Sequence, residues 1–243
     1  MARAAMREES ALNSATIEQK PPVKEALVFR HIRKFFPNYS PDVMFDVGAN
    51  IGQSCLSYAQ SFPEASIYAF EPVPATFDLL RTAVADTPSI RPWNLGLSNK
   101  TGTAAMELSR ASVGSKIVAG DAAKNPAAVQ VQTMRGVEFC REQGIERIGF
   151  LKIDTEGHDL NVLRGFVGMF DAIQFIQVEA AMCRYNPKHV LFRDFDEFLS
   201  AHGFHLFYLY EQTFEFQKGG RAALRRADPV FINSTMVNLE GLK

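Results

Sequence analysis

The feature that most constrains this chain is an alternation of short apolar runs with amphipathic segments along most of its 243 residues. Runs such as DVMFDVG, SIYAFEP and IGFLKIDTEG have the length and composition of buried strands, and each precedes a segment with helical spacing. Strands that alternate with helices pair in parallel, because the chain must cross the sheet between them. The pattern therefore predicts an α/β fold, with a mostly parallel sheet and helices on both faces.

The two ends of the chain depart from this alternation. Residues 1–22 are polar and rich in alanine, and we expect them to form a mobile tail. Residues 23–243 are expected to form a single domain, which begins with an amphipathic helix over 23–36. The predicted apolar face of that helix contains Ala26, Leu27, Ile32, Phe35 and Phe36. HLFYLYE and PVFINS follow each other without a helix, which predicts an antiparallel C-terminal hairpin at the sheet edge.

Composition narrows the class of protein. The net charge is −1, so there is no overall positive field to attract a nucleic acid, and we expect no such partner. The sequence has no apolar run of about 18 residues, and its first residues carry charges throughout, so neither membrane insertion nor a signal peptide is expected. Its three cysteines are far apart, which favours a reducing, cytoplasmic compartment. A homodimer is left open.

A glycine-rich turn follows the first predicted strand, in MFDVGANIGQS. Gly48 and Gly52 would let the backbone approach a ligand, and the next helix offers free N–H groups that suit a carboxylate or phosphate. The turn is not the G-x-G-x-x-G of dinucleotide-binding folds, because Asn50 takes the place of the second glycine. This difference argues against NAD or FAD, while a plain tight turn stays an alternative.

An acidic residue ends the second predicted strand at the spacing of a ribose contact. Glu71 follows Gly52 by 19 residues, and its carboxylate could accept hydrogen bonds from both ribose hydroxyls. Asp46, at the mouth of the first strand, could face the ammonium group of a ligand. The turn, the acid and the lack of a phosphate-binding lysine together favour S-adenosylmethionine. Asn94 could contact the adenosine part, or equally could close a turn.

The densest group of polar residues lies in FLKIDTEGHD. Asp154 falls at a strand mouth, Glu156 and His158 follow it, and Glu179 ends the next strand and would reach the same edge of the sheet. Clustered titratable groups suit a general base, and their oxygens could also hold a hard cation such as Mg²⁺. Simple capping of a helix N-terminus would account for Asp159 but not for the whole group.

These motifs resemble, in the same order, those of the FkbM-family S-adenosylmethionine-dependent methyltransferases. The matching blocks are FDVGANIGQS, YAFEPVPATFDLL, NLGLSNKTG, LKIDTEGHDLNVLRGF and IQVE, between Asp42 and Glu179. The resemblance implies a Rossmann-like class I methyltransferase fold, S-adenosylmethionine as the methyl donor and an oxygen acceptor. Two positions depart from the family pattern: Arg135-Gly136 stands where an acidic pair is common, and His158 stands where residues are commonly small or variable.

The predicted sites follow from these motifs. The cofactor-binding residues are expected to be Asp46, Gly48, Ala49, Asn50, Gly52, Gln53, Glu71, Pro72 and Asn94. The catalytic residues are expected to be Asp154, Glu156, His158 and Glu179. The predicted reaction is O-methylation of a hydroxyl on a small molecule, such as a natural product, a sugar or a lipid-like compound. The alternatives are a methyltransferase acting on RNA or protein, and a non-catalytic nucleoside-binding protein.

Overall fold

The computed structural model describes residues 26–107, 116–118, 128–215 and 223–237, so the predicted tail lies outside the described residues. The helices are α1 (Leu27–Phe35), α2 (Gln53–Ser61), α3 (Pro74–Ala83), α4 (Gly136–Gln143), α5 (Asp159–Gly165) and α6 (Phe192–Ser200). The strands are β1 (Val43–Val47), β2 (Ser66–Phe70), β3 (Ile90–Trp93), β4 (Gly96–Ser98), β5 (Gly102–Glu107), β6 (Lys116–Val118), β7 (Val129–Arg135), β8 (Ile148–Ile153), β9 (Ile173–Val178), β10 (Ala180–Ala181), β11 (Phe204–Glu215) and β12 (Ala223–Asn233).

The main sheet has the strand order β10-β12-β9-β8-β1-β2-β3, and β11 pairs with β12. The five strands β3, β2, β1, β8 and β9 are parallel, whereas β12 runs antiparallel to β9 and β11 antiparallel to β12. The predicted α/β class, with a mostly parallel sheet and an antiparallel C-terminal hairpin, is confirmed. Strand order reverses between β1 and β8, and ligands of such sheets bind at the carboxyl ends of the strands on either side of that point.

Helices cover both faces of this sheet. The helices α1, α2 and α3 pack on one face, where Phe29 and Leu80 share a core with Phe150 of β8. The helices α4, α5 and α6 pack on the other face, where Phe139 shares a core with Leu151. Neighbouring residues of β8 thus enter opposite cores, as the alternation of side chains along a strand requires. Each helix within the described residues is too short or too polar to cross a bilayer.

The buried face of α1 differs from the predicted one. Val28, Phe29 and Ile32 are buried, whereas Leu27 is 50% exposed and Phe35 is 64% exposed. The ring of Phe29 makes edge contacts with the rings of Tyr58 in α2, Phe62 just after α2 and Phe150 in β8, with centroid distances of 4.9 to 5.2 Å. This aromatic packing fixes the rotation of the helix, so part of the predicted apolar face points outward.

A second sheet, with the order β4-β7-β5-β6, was not predicted. The stretch IRPWNLGLS does not form one continuous strand; it forms β3 in the main sheet and β4 in the second sheet. Asn94 lies at the bend, and its Nδ2 donates to the carbonyl oxygens of Glu71 and Pro72, both at 3.0 Å. The second sheet bears on function because Met106 and Ile117 project from it toward the cleft described below.

Candidate functional site

A cleft opens where the strand order reverses, at the carboxyl ends of the parallel strands. Seven of the predicted site residues line it: Gly48, Asn50, Glu71, Pro72, Asp154, Glu156 and His158. Apolar side chains form the remaining walls, among them Val47, Phe70, Leu95, Leu97, Met106 and Ile117. The cleft therefore has a polar floor at the strand ends and an apolar wall contributed partly by the second sheet.

The glycines of the turn after β1 are required by both conformation and space. Gly48 and Gly52 have φ values of +84° and +96°, which disfavour any side chain. A Cβ atom on Gly48 would lie 1.9 Å from the carbonyl oxygen of Asp154. The N–H groups of Gly48 and Ala49 both donate to the carbonyl of Phe70, at 3.0 and 2.9 Å. The turn therefore draws the ends of β1, β2 and β8 together.

Glu71 and Asn50 form the polar centre of one side of the cleft, beside the glycine turn. The N–H of Asn50 donates to Glu71 Oε2 at 3.1 Å, and the N–H of Val73 donates to Oε1 at 2.9 Å. Burial raises the pKa of Glu71 to about 7, although these two bonds oppose the rise. Each carboxylate oxygen keeps a lone pair for a further donor. Asn50 Oδ1 is buried and has no hydrogen-bond partner among the described residues, so a ligand could satisfy it.

Asp46 lies beneath the cleft, where it contacts a lysine of the chain. It is fully buried, and its Oδ1 lies 3.4 Å from Lys152 Nζ. The same Nζ donates to Asp154 Oδ2 at 3.0 Å. Burial alone would lower the pKa of Lys152, but the two acids raise it well above its usual value and keep the ammonium charged. Asp46 does not line the cleft; its Oδ1 contacts Lys152, which holds one oxygen of Asp154, while its Oδ2 is buried without a hydrogen-bond partner among the described residues. Its contact with the ammonium group of a ligand stays a prediction.

Both ring nitrogens of His158 already have partners. Asn161 Nδ2 lies 3.3 Å from Nδ1, and Ser98 Oγ lies 2.9 Å from Nε2. Because an amide nitrogen can only donate, Nδ1 accepts and Nε2 carries the proton. Burial lowers the pKa of His158, so the ring stays neutral at pH 7. His158 lines the cleft, but its role as a base stays a prediction that this geometry does not favour.

The turn between β8 and α5 is closed by Asp159. Its carboxylate accepts the N–H groups of Thr155 at 3.3 Å and Gly157 at 3.0 Å, which both precede α5. Asp159 therefore holds the turn and does not cap the helix as expected, because no side-chain hydrogen bond is made at the N-cap residue of α5. Glu156, between them, has a left-handed φ of 54°. A Cβ atom on Gly157 would lie 2.5 Å from the carbonyl oxygen of Lys188. The turn is therefore packed against the loop that precedes α6.

Glu179 ends β9 beside Glu156 and two residues that the sequence analysis missed. His189 Nδ1 lies 3.0 Å from Glu179 Oε2, and Arg226 Nη1 donates to Oε1. The ligand atoms of Glu156, Glu179 and His189 lie within 4.8 Å of one another. Burial, followed by repulsion from Asp154, raises the pKa of Glu179 to about 8, while Arg226 opposes the rise. Through Glu156, which lines the cleft, this group adjoins the other, acidic side of the cleft.

The short strand β10 explains why His189 and Arg226 meet at Glu179. The N–H of Ala181 donates to the carbonyl of Val190 at 2.8 Å, which holds His189 beside the strand. On its other side, Ala181 pairs with Arg226 of β12. These contacts join segments that are distant in sequence, so no local motif predicts them. The available signal was a histidine in the polar segment NPKH, shortly after the strand that carries Glu179.

The remaining predicted cofactor residues lie around the cleft. Gln53 begins α2 and lines a second, polar pocket on the α1 and α2 side of the sheet, which Lys152, Asp154 and Asp228 also line. Ala49 is buried under the turn. The amide nitrogen of Asn94 donates to backbone carbonyl oxygens.

Comparison with known proteins gives consistent matches. The family described as the methyltransferase FkbM domain matches residues 46–206. The hexuronic acid methyltransferase AglP of Haloferax volcanii is 32% identical over 61% of this chain and 59% of AglP. The 31-O-demethyl-FK506 methyltransferase FkbM of Streptomyces tacrolimicus is 30% identical over 51% of this chain and 59% of that protein. The 2-O-methyltransferase NoeI of Sinorhizobium fredii is 24% identical over 66% of this chain and 71% of NoeI.

The match spans 59% of the length of AglP and of FkbM. The family match begins at Asp46 and includes the glycine turn, Glu71, the turn after β8 and Glu179, so it contains both sides of the cleft. The chain therefore belongs to the FkbM methyltransferase domain family.

Proposed function

We propose that this protein transfers the methyl group of S-adenosylmethionine to a hydroxyl oxygen of a small-molecule acceptor. One observation carries the proposal: a donor side with Asn50 and Glu71 adjoins an acidic acceptor side with Asp154, Glu156 and Glu179. Both sides lie at the reversal of strand order, where ligands of such sheets bind. Membership of a methyltransferase domain family supports the reaction class.

The donor side offers groups that suit each part of an adenosyl ligand. Glu71 has free lone pairs for ribose hydroxyls, and the unpaired Oδ1 of Asn50 can accept a further hydrogen bond. Leu95 and Met106 offer apolar surface for a flat adenine ring. The N-terminus of α2, at Gln53, offers N–H groups for the carboxylate of the methionine end.

The donor supplies a methyl group on a positively charged sulfur, which is already reactive toward a nucleophile. The bond from the acceptor oxygen to the methyl carbon forms as the carbon–sulfur bond breaks, and the hydroxyl proton passes to a base. We assign that base to Asp154, because Lys152 holds its Oδ2 at 3.0 Å and Oδ1 remains available. Alignment supplies a large part of the acceleration, and a positioned base typically adds about 10²- to 10⁴-fold.

The names of the relatives support a hydroxyl acceptor. FkbM is named for 31-O-demethyl-FK506 and NoeI is named a 2-O-methyltransferase, while AglP is named for a hexuronic acid without a stated position. A sugar acid or another polyhydroxylated small molecule is therefore the acceptor class proposed for this chain. The net charge of −1 counts against RNA as the acceptor. A cytoplasmic location and a homodimer stay predictions.

A calorimetric titration with S-adenosylhomocysteine tests donor binding without a known acceptor. Glu71→Ala should weaken binding at least about tenfold, since two hydrogen bonds to a charged group are lost. Glu64→Ala, at an exposed glutamate, is the matched control and should bind like the parent protein. No heat from a folded parent sample would exclude the donor.

The acceptor class needs a separate experiment. Transfer of a labelled methyl group should be measured against a panel of uronic acids, neutral sugars and hydroxylated natural products, with RNA and protein included. Label should appear on a hydroxyl of a small molecule. Label found only on RNA, with a rate that falls steeply as salt rises, would contradict the proposal.

A further inference from the structure

We propose that Glu156, Glu179 and His189 form a binding site for a divalent transition-metal cation, with Mn²⁺ as its representative. The site differs from the Mg²⁺ site that the sequence suggested, because it includes an imidazole from outside the recognised motifs. Metal binding there is independent of the acceptor. Only its role in catalysis rests on the proposed function.

The three side chains are close enough to share one ion. Their ligand atoms lie within 4.8 Å of one another. Two ligands on opposite sides of an ion with bonds of about 2.1 Å lie about 4.2 Å apart, so side-chain shifts of a few tenths of an ångström suffice. The site is shaped by backbone contacts, because the loop carrying His189 packs on the turn carrying Glu156, through Lys188 and Gly157.

The imidazole of His189 provides an independent indication of a ligand. Its side chain is 7% exposed and points at Glu179. Nδ1 lies 3.0 Å from Glu179 Oε2, yet the alignment is not that of a hydrogen bond, and Nδ1 is without a hydrogen-bond partner within the described residues. A buried nitrogen lone pair beside a carboxylate oxygen is unfavourable unless a proton or a cation lies between them. A bound metal ion would satisfy both atoms.

The acids around Glu179 favour a cation there, although Arg226, Arg225 and Lys188 act against a positive charge at His189. Asp154, Glu156 and Asp228 each repel a negative charge on Glu179, whereas Arg226 attracts it. The guanidinium of Arg226 occupies Oε1 of Glu179 and leaves Oε2 for an ion. At metal sites, a carboxylate ligand usually accepts a hydrogen bond from a neighbouring residue that does not itself bind the metal, and this bond orients the ligand. Arg226 is therefore compatible with a metal on the other oxygen.

The ligand types determine which metals fit. Two carboxylate oxygens and one imidazole nitrogen suit Mn²⁺, Fe²⁺ or Zn²⁺ better than Ca²⁺, which prefers oxygen ligands alone. An ion here would lie beside Asp154, the proposed base. There it would lower the pKa of a coordinated acceptor hydroxyl and so ease removal of the proton.

Titration of the metal-free protein with Mn²⁺ alone tests the site. The full chain is treated with a chelator and titrated while the electron paramagnetic resonance signal of free Mn²⁺ is followed. We expect saturation at one ion per chain, and His189→Ala should weaken binding at least about tenfold. His205→Ala, at an exposed histidine of β11, is the matched control and should bind Mn²⁺ like the parent protein.

The spectrum of bound Mn²⁺ separates a ligand from a merely structural residue. Pulsed measurements should show coupling to a ¹⁴N nucleus in the parent protein and in His205→Ala, and this coupling should vanish in His189→Ala. Absence of saturable Mn²⁺ binding, or ¹⁴N coupling that persists in His189→Ala, would overturn the proposal.

Two further measurements keep the outcome interpretable. Glu156→Gln changes a half-buried side chain by one polar atom and should weaken Mn²⁺ binding even if His189→Ala fails to fold. Unchanged affinity in folded Glu156→Gln would count against the site. S-adenosylhomocysteine is titrated into the same samples. If the protein binds S-adenosylhomocysteine but not Mn²⁺, only the metal site is refuted. If it binds Mn²⁺ but not S-adenosylhomocysteine, only the donor assignment is refuted.

Discussion

Glu71 combines a structural role with its proposed ligand-binding role in one buried carboxylate. Its two oxygens accept the N–H groups of Asn50 and Val73, so they shape the turns after β1 and β2. These bonds do not compensate the loss of hydration, which is why burial raises the pKa of this group to about 7. The group that is proposed to hold the ribose therefore titrates near neutral pH.

Donor binding should depend on pH through Glu71. The carboxylate accepts ribose hydroxyls in its ionised form, and the protonated form has lost part of that capacity. Affinity for S-adenosylhomocysteine should rise with pH through about 7 and level off above it. Below that pKa the affinity should fall by up to about tenfold per pH unit, as the ionised fraction does. Titration calorimetry from pH 5.5 to 8.5 measures this slope.

A matched variant identifies the group responsible for the slope. Glu71→Gln cannot ionise, so its affinity should be low and nearly independent of pH across the same range. A slope that persists in this variant would assign the titration to another buried acid, such as Asp159, whose pKa burial also raises to about 7.

At the scale of the elements, the sequence specified most strands and helices but not their division between sheets. Buried strands such as β8 are apolar throughout, and this pattern is visible locally. The bend that separates β3 from β4 depends on hydrogen bonds from Asn94 to carbonyls of a different segment. The rotation of α1 likewise depends on the rings around Phe29. Such tertiary contacts leave no periodic signal in the sequence.

The close approach of β1 and β8 gives a prediction at this scale. In Gly48→Ala, the new Cβ would lie 1.9 Å from the carbonyl oxygen of Asp154, so the strand ends must separate. Backbone strain and the clash together should lower the free energy of unfolding by about 2 to 4 kcal/mol. Binding of S-adenosylhomocysteine should be lost, because the cleft is built on this contact. Chemical denaturation and calorimetry measure the two effects.

Gly144→Ala is the control for this substitution. Gly144 also has a positive φ, of +66°, but nothing lies within 4 Å of its added Cβ. Only the conformational strain remains there, of about 1 kcal/mol, and donor binding should be unchanged. Equal effects of the two substitutions would show that the contact between β1 and β8 is not what limits Gly48.

At the scale of the whole molecule, the two sides of the cleft come from different parts of the chain. The donor side follows β1 and β2, and its residues stand in recognisable motifs, so the sequence identified them. The acceptor side also draws on the loop before α6 and on β12, which meet Glu179 only through the pairing of β10. His189 and Arg226 were not predicted for that reason, whereas Asp154, Glu156 and Glu179 follow strands and could be predicted.

This division predicts that the two sides can be perturbed separately. Arg226→Ala removes the cation that binds Glu179 but touches nothing on the donor side. The affinity for S-adenosylhomocysteine should stay within about twofold of the parent value, a change of less than 0.5 kcal/mol. Methyl transfer to an acceptor found in the labelled panel should slow at least about tenfold, because Glu179 loses the partner that orients it.

Arg193→Ala, at a side chain that is 80% exposed, is the control and should leave both the affinity for S-adenosylhomocysteine and the rate of methyl transfer unchanged. A parallel loss of donor affinity and turnover in Arg226→Ala would mean that the cleft behaves as one unit, since the effect would then have passed from β12 across β9 and β8 to the turn after β1.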